Sequence, residues 1–108
     1  MIPTSVNILG SVWLVRKVND LPDMGSANPV NRTISLDDSL APSVMVETFY
    51  HELVHAILMH TGHQEHFDEK QNEALAQGLG MTLAFVVAAN ELPRLPFNSE
   101  EETENDNT

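Results

Sequence analysis

The spacing of hydrophobic and polar positions changes period several times along the chain, and each change marks an element. Val6 to Val18 (VNILGSVWLVRKV) is rich in β-branched and aromatic residues and is interrupted by Gly10-Ser11, which predicts one bent strand or a short strand pair. Alternation puts Trp13 and Val15, with Lys17 at the end, on one face and Val12, Leu14 and Arg16 on the other. Residues 19 to 31 hold two Pro, a Gly, two Asp and three Asn, the chemistry of loops and turns. Arg32 to Asp37 (RTISLD) alternates again, with Ile34 and Leu36 facing one way and Thr33 and Ser35 the other. That pattern predicts a half-buried strand, read here as an exposed edge that an extended peptide can join by strand addition.

The period then becomes helical. Pro42 suits a first helical position and Gly62 suits a stop, so one helix is expected from about Pro42 to His60. Between Val44 and Met59 it is apolar on nearly every side, except for one stripe of Thr48, His51, Glu52 and His55 at i, i+3, i+4, i+7 spacing. Asp68 followed by Gln71 predicts a capping box, and apolar Leu75, Leu79, Leu83 and Val86 carry a second helix to about Asn90. On that helix Glu73 shares a stripe with Ala76, Gln77 and Gly80, small residues that let this face press against the first helix.

Composition narrows the classes. A chain of 108 residues is one domain with one core, assigned to residues 1–92. Residues 93–108 are acidic and polar and are expected to be disordered. Zero cysteine excludes disulfides, thiolate ligands and a cysteine nucleophile. The formal net charge of -11 argues against nucleic acid and anionic lipid as partners. The N-terminus lacks a basic segment and the longest nearly apolar stretch, Leu79 to Ala89, is too short to span a bilayer, so a soluble, cytoplasmic protein is expected.

The polar stripe carries the chemistry. His51-Glu52-Leu53-Val54-His55 is an HExxH string, in which two imidazoles four residues apart share a helix face and hold zinc while the glutamate serves as general base. A shuffle of this composition gives the string with a chance of about one in fifty, so its apolar helical setting is what makes it informative. Uncompensated polar groups on a buried helix cost several kcal/mol, and a metal with its water satisfies them. A catalytic zinc takes three protein ligands. Glu73 is the expected third, with Glu69, Asp68, His63 and His66 as alternatives. Asn72 and Gln77 are polar candidates beside the site, and one of His60, His63 and His66 is a candidate donor to a developing oxyanion.

HExxH on one helix followed by a glutamate on the next, here Asn72-Glu73-Ala74-Leu75-Ala76, resembles the gluzincin pattern of zinc peptidases. A chain this short resembles the minigluzincins and the small metallopeptidase domains of phages and prophages, including the ImmA/IrrE family, over roughly Val6 to Asn90. That resemblance implies an α+β, zincin-like minimal domain: a small twisted sheet of about three strands packed on the HExxH helix and a second helix carrying the glutamate ligand. It implies one zinc ion on His51, His55 and Glu73, and an extended substrate along the edge strand at Arg32 to Asp37. Metzincins are excluded, because their signature places Gly at Leu58 and His at Thr61. The chain departs from larger gluzincins in having no second lobe with a tyrosine or histidine for the transition state, and Tyr50 is not assigned that role. The expected function is therefore a zinc-dependent peptidase, with a non-catalytic metal-binding adaptor or phage accessory protein as the alternative.

Overall fold

The computed structural model of the protein describes residues 2–90. The expected disordered tail at 93–108 lies outside the described residues, as does the domain end at residue 92.

The segment read as a bent strand or strand pair is a pair. β1 (Ser5–Ile8) and β2 (Ser11–Val18) form an antiparallel hairpin with Val6 opposite Trp13. Leu9 and Gly10 both have positive φ, 51° and 90°, the twist that two-residue hairpins require. Asn7 Oδ1 closes the turn by accepting from the Gly10 N–H at 2.7 Å.

Two expectations about the sheet need correction. It has four strands rather than about three, in the order β1-β2-β4-β3. The added strand, β3 (Gly25–Asn28), lies in the stretch read as loop. The segment read as an edge, at Arg32 to Asp37, forms β4 (Thr33–Asp37) inside the sheet, parallel to β2 and antiparallel to β3. The edge beside the helices is therefore β3. Its Gly-Ser-Ala-Asn sequence has neither branched residues nor alternation, and it is extended because β4 supplies a partner. The Asp37 N–H donates to the Met24 carbonyl at 2.9 Å. Hydrogen-bonded pairs alternate along an antiparallel ladder, so Gly25 and Ala27 turn their own N–H and C=O groups to the open side.

Helix α1 (Pro42–His60) has the predicted bounds. Pro42 stands where a helix has no acceptor for an N–H. The Thr61 and Gly62 N–H groups reach the Ile57 and Met59 carbonyls at 3.0 and 3.2 Å, with Gly62 left-handed at φ 79°. One short 3₁₀ turn (His63–His66) leads to α2 (Glu69–Ala89), which opens on the predicted capping box: Asp68 accepts from the Gln71 N–H and the Gln71 side chain accepts from the Asp68 N–H.

The layers explain why α1 is apolar on almost every side. One side packs on the sheet, where Trp13, Ile34, Leu36 and Phe49 are fully buried, each such side chain contributing about 1.5–3 kcal/mol. The other side carries α2, seated through buried Ala76 and Gly80. At Gly80 a Cβ would lie 2.8 Å from both the Cα and the N of His51, so the two backbones meet there with no room for a side chain. The leucine pattern of α2 is not its contact face: Leu79 is 49% exposed. The result is an α+β domain with the HExxH helix in the middle. Among the described residues no helix is long and apolar enough to cross a membrane.

Candidate metal centre

The close crossing at Gly80 brings the α2 stripe over the α1 stripe. Glu73 lies about two helical turns before Gly80, and its carboxylate reaches both histidines: Oε1 is 3.2 Å from His51 Nε2 and Oε2 is 2.9 Å from His55 Nε2. One donor atom from each of the three residues lies within 4.8 Å of the others. Tetrahedral bonds of about 2.0–2.1 Å put donor atoms about 3.3 Å apart, so these spacings suit a metal ion with little movement.

Hydrogen bonding makes the same point. His51 Nδ1 is 3.0 Å from Gln77 Oε1, which only accepts, so the proton sits on Nδ1. In a neutral His51 the Nε2 lone pair then faces a carboxylate oxygen. Either a second proton or a cation relieves that contact, and an imidazole oriented by an acceptor on its other nitrogen is the usual form of a metal ligand. Burial pushes the His55 pKa down, against the Glu73 carboxylate and helped by His51, which favours the neutral form that a ligand needs. The residues His51, His55 and Glu73 therefore lie close enough to hold a metal ion.

Glu52 is 8% exposed and borders a cavity of about 600 Å³ between α1, α2 and the start of β3. Burial pushes its carboxyl up to about 7; His51 opposes this, and the nearby Glu73 and Asp23 carboxylates add to it. A Cβ at Gly25 would lie 3.0 Å from Glu52 Cγ and 2.9 Å from Thr48 Cγ2, so the edge strand comes close to the carboxylate because it has no side chain there. The Thr48 hydroxyl donates within its own helix to the Val44 carbonyl at 2.8 Å.

The other candidate residues stand elsewhere. Asp68 is the α2 cap, its carboxylate accepting from the Gln71 N–H at 2.7 Å. Glu69 lies exposed in the first turn of α2, and neither it nor Asp68, His63 or His66 joins the ligand group among the described residues. His60 packs edge-on against Trp13 at 6.2 Å. His63 Nδ1 bonds the Thr61 hydroxyl at 2.9 Å, and His66 lies against His63. None of these three histidines borders the cavity. Asn72 ties the connection to α2 by donating to the Gln64 and Phe67 carbonyls, whereas Gln77 does contact the site. Sequence reasoning missed Asp23, Gly25 and Glu47, which border the cavity; Asp23 and Gly25 sit in a stretch without periodicity, and Glu47 sits outside the HExxH string. No protein-family model, curated protein or solved structure matches this chain.

Proposed function

We propose that the chain is a zinc-dependent peptidase. The observation that carries this reading is the convergence of His51, His55 and Glu73 beside a buried Glu52, at a cavity bordered by an open strand edge. Two imidazole nitrogens and one carboxylate are a donor set suited to zinc and leave a coordination position free. A zinc ion there supplies Lewis acidity and a water activated near neutral pH.

The residues then divide the work. The outward N–H and C=O groups of Gly25 and Ala27 hold an extended peptide as an added strand, and the absent side chain at Gly25 lets that peptide lie close to Glu52. Glu52 takes a proton from the attacking water and delivers it to the leaving amine, a role suited to a buried carboxylate beside the ligands. Gln77 keeps the His51 ring oriented through Nδ1.

One observation favours the non-catalytic alternative, an adaptor or accessory protein that keeps the metal shell for binding. None of His60, His63 and His66 borders the cavity to meet a developing oxyanion. Metal analysis and a cleavage assay separate the two readings. The expected result is about one zinc per chain in wild type and Glu52→Gln, loss in His51→Ala and Glu73→Ala, and hydrolysis of casein by wild type alone. Zinc binding without hydrolysis supports the adaptor, and no zinc in wild type overturns both.

A further inference from the structure

The cavity beside the metal ligands is bordered by acidic groups well beyond what the metal and a general base require. Asp23, from the loop before β3, and Glu47, on α1, both line it together with Glu52 and Glu73. No Lys or Arg does, and among the described residues the side chains of Asp23 and Glu47 make neither a hydrogen bond nor an ion pair. Glu52, a residue 8% exposed whose side chain has no hydrogen-bond partner among the described residues, borders the same space. A divalent ion on two neutral imidazoles and the Glu73 carboxylate, with Glu52 ionised, is close to neutral in sum. The charges of Asp23 and Glu47 are then left with no ion-pair partner among the described residues.

Their position is specific. Glu47 stands four residues before His51, about 6 Å along the axis of α1 and on the side away from His55. In an extended peptide, side chains on one face repeat every two residues, about 6.6 Å. The two repeats match in length, so a side chain one or two residues from the peptide bond under attack has the reach to meet Glu47, and Asp23 borders the same cavity.

Building on the peptidase reading, we propose that this end of the cavity is a subsite for a cationic group, so that the substrates are polypeptides carrying a Lys or Arg, or a free N-terminal ammonium, next to the cleaved bond. Asp23 and Glu47 are both exposed, so either pairing alone is weak; the selectivity comes from two carboxylates acting on one cation, and the net charge of -11 draws cationic chains towards the protein.

The test uses full-length, zinc-loaded, ¹⁵N-labelled Glu52→Gln protein titrated with acetylated, amidated alanine pentapeptides carrying a central Lys, Glu or Leu, and with free-amine pentaalanine. The Lys peptide is expected to shift the Asp23, Gly25 and Glu47 amides and to bind about tenfold more tightly than the Glu and Leu peptides. The double variant Asp23→Asn, Glu47→Gln, made in the same background, is expected to abolish that preference and keep its zinc. A preference for the free-amine peptide over the acetylated Lys peptide identifies the N-terminal ammonium as the cation. Equal binding of all peptides, or a preference that survives the double variant, overturns the subsite while leaving the peptidase reading in place. If no peptide perturbs the cavity and wild type cleaves no casein, both fall.

Discussion

Glu52 is the residue whose chemistry depends most on its surroundings. An ordinary carboxyl releases its proton near 4.5, and this one is pushed up to about 7, first by burial. Without metal, the folded chain therefore keeps a proton that the unfolded chain has already lost between about pH 4.5 and pH 7, so the unfolded state binds fewer protons there and stability falls as pH rises through that window. A shift of this size corresponds to at most about 3 kcal/mol. His55 acts in the opposite sense, because its lowered pKa means that the unfolded chain protonates first as pH falls, and stability is lost towards acid. Glu52→Gln removes the first effect and keeps the second. Urea unfolding of chelated protein, followed by the single buried Trp13, is expected to show the variant gaining on wild type as pH rises from about 5 to about 8. A wild-type-to-variant difference that stays constant across that range contradicts the assignment.

At the scale of elements, what the sequence made legible follows from where the information is stored. Pro42, Gly62, Asp68 and Gln71 mark helix ends by local backbone chemistry, and those ends stand where expected. Trp13 and Val15 opposite Val12 and Leu14 are sorted by alternation alone. Glu73 was reachable because Ala76 and Gly80 mark the face of α2 that can approach another helix. β3 was not legible, since four small residues become a strand only through pairing with β4, and the true edge, Gly25 and Asp23 were hidden with it. The two glycines of α2 turn this into a prediction. A Cβ at Gly78 meets nothing within 4 Å, whereas one at Gly80 runs into the His51 backbone. Gly78→Ala is expected to stabilise by about 0.5–1 kcal/mol through helix propensity. Gly80→Ala should cost about 1–3 kcal/mol by overpacking and also weaken zinc binding, because it lifts Glu73 away from His51 and His55. Thermal melts with and without zinc check both, and a Gly80→Ala protein with unchanged zinc affinity would show that the crossing does not position the ligand.

At the scale of the whole molecule, the candidate metal ligands bridge two unequal layers. His51 and His55 belong to α1, which is fixed by the buried core it shares with the sheet, whereas Glu73 belongs to α2, which packs mainly on α1. Among the described residues the outer side of α2 is open, with Phe85 70% exposed and Leu79 and Leu83 also at the surface. Only the small residues Ala76 and Gly80 of α2 are buried, and a helix with so much exposed surface opens at low free energy, so an ion bound across the crossing contributes most to holding α2 down. Ligand-linked stabilisation follows the ratio of free metal to its dissociation constant, about 4 kcal/mol at a thousandfold excess. Chelation of the zinc-loaded protein is therefore expected to speed hydrogen exchange at the α2 amides first, with the β2, β4 and α1 amides and the Trp13 emission changing little. His55→Ala protein should exchange as chelated wild type does and should not respond to chelator. Uniform acceleration across both layers would mean that the metal secures the whole domain as one cooperative unit, and no acceleration in α2 would mean that Ala76 and Gly80 hold that helix without it.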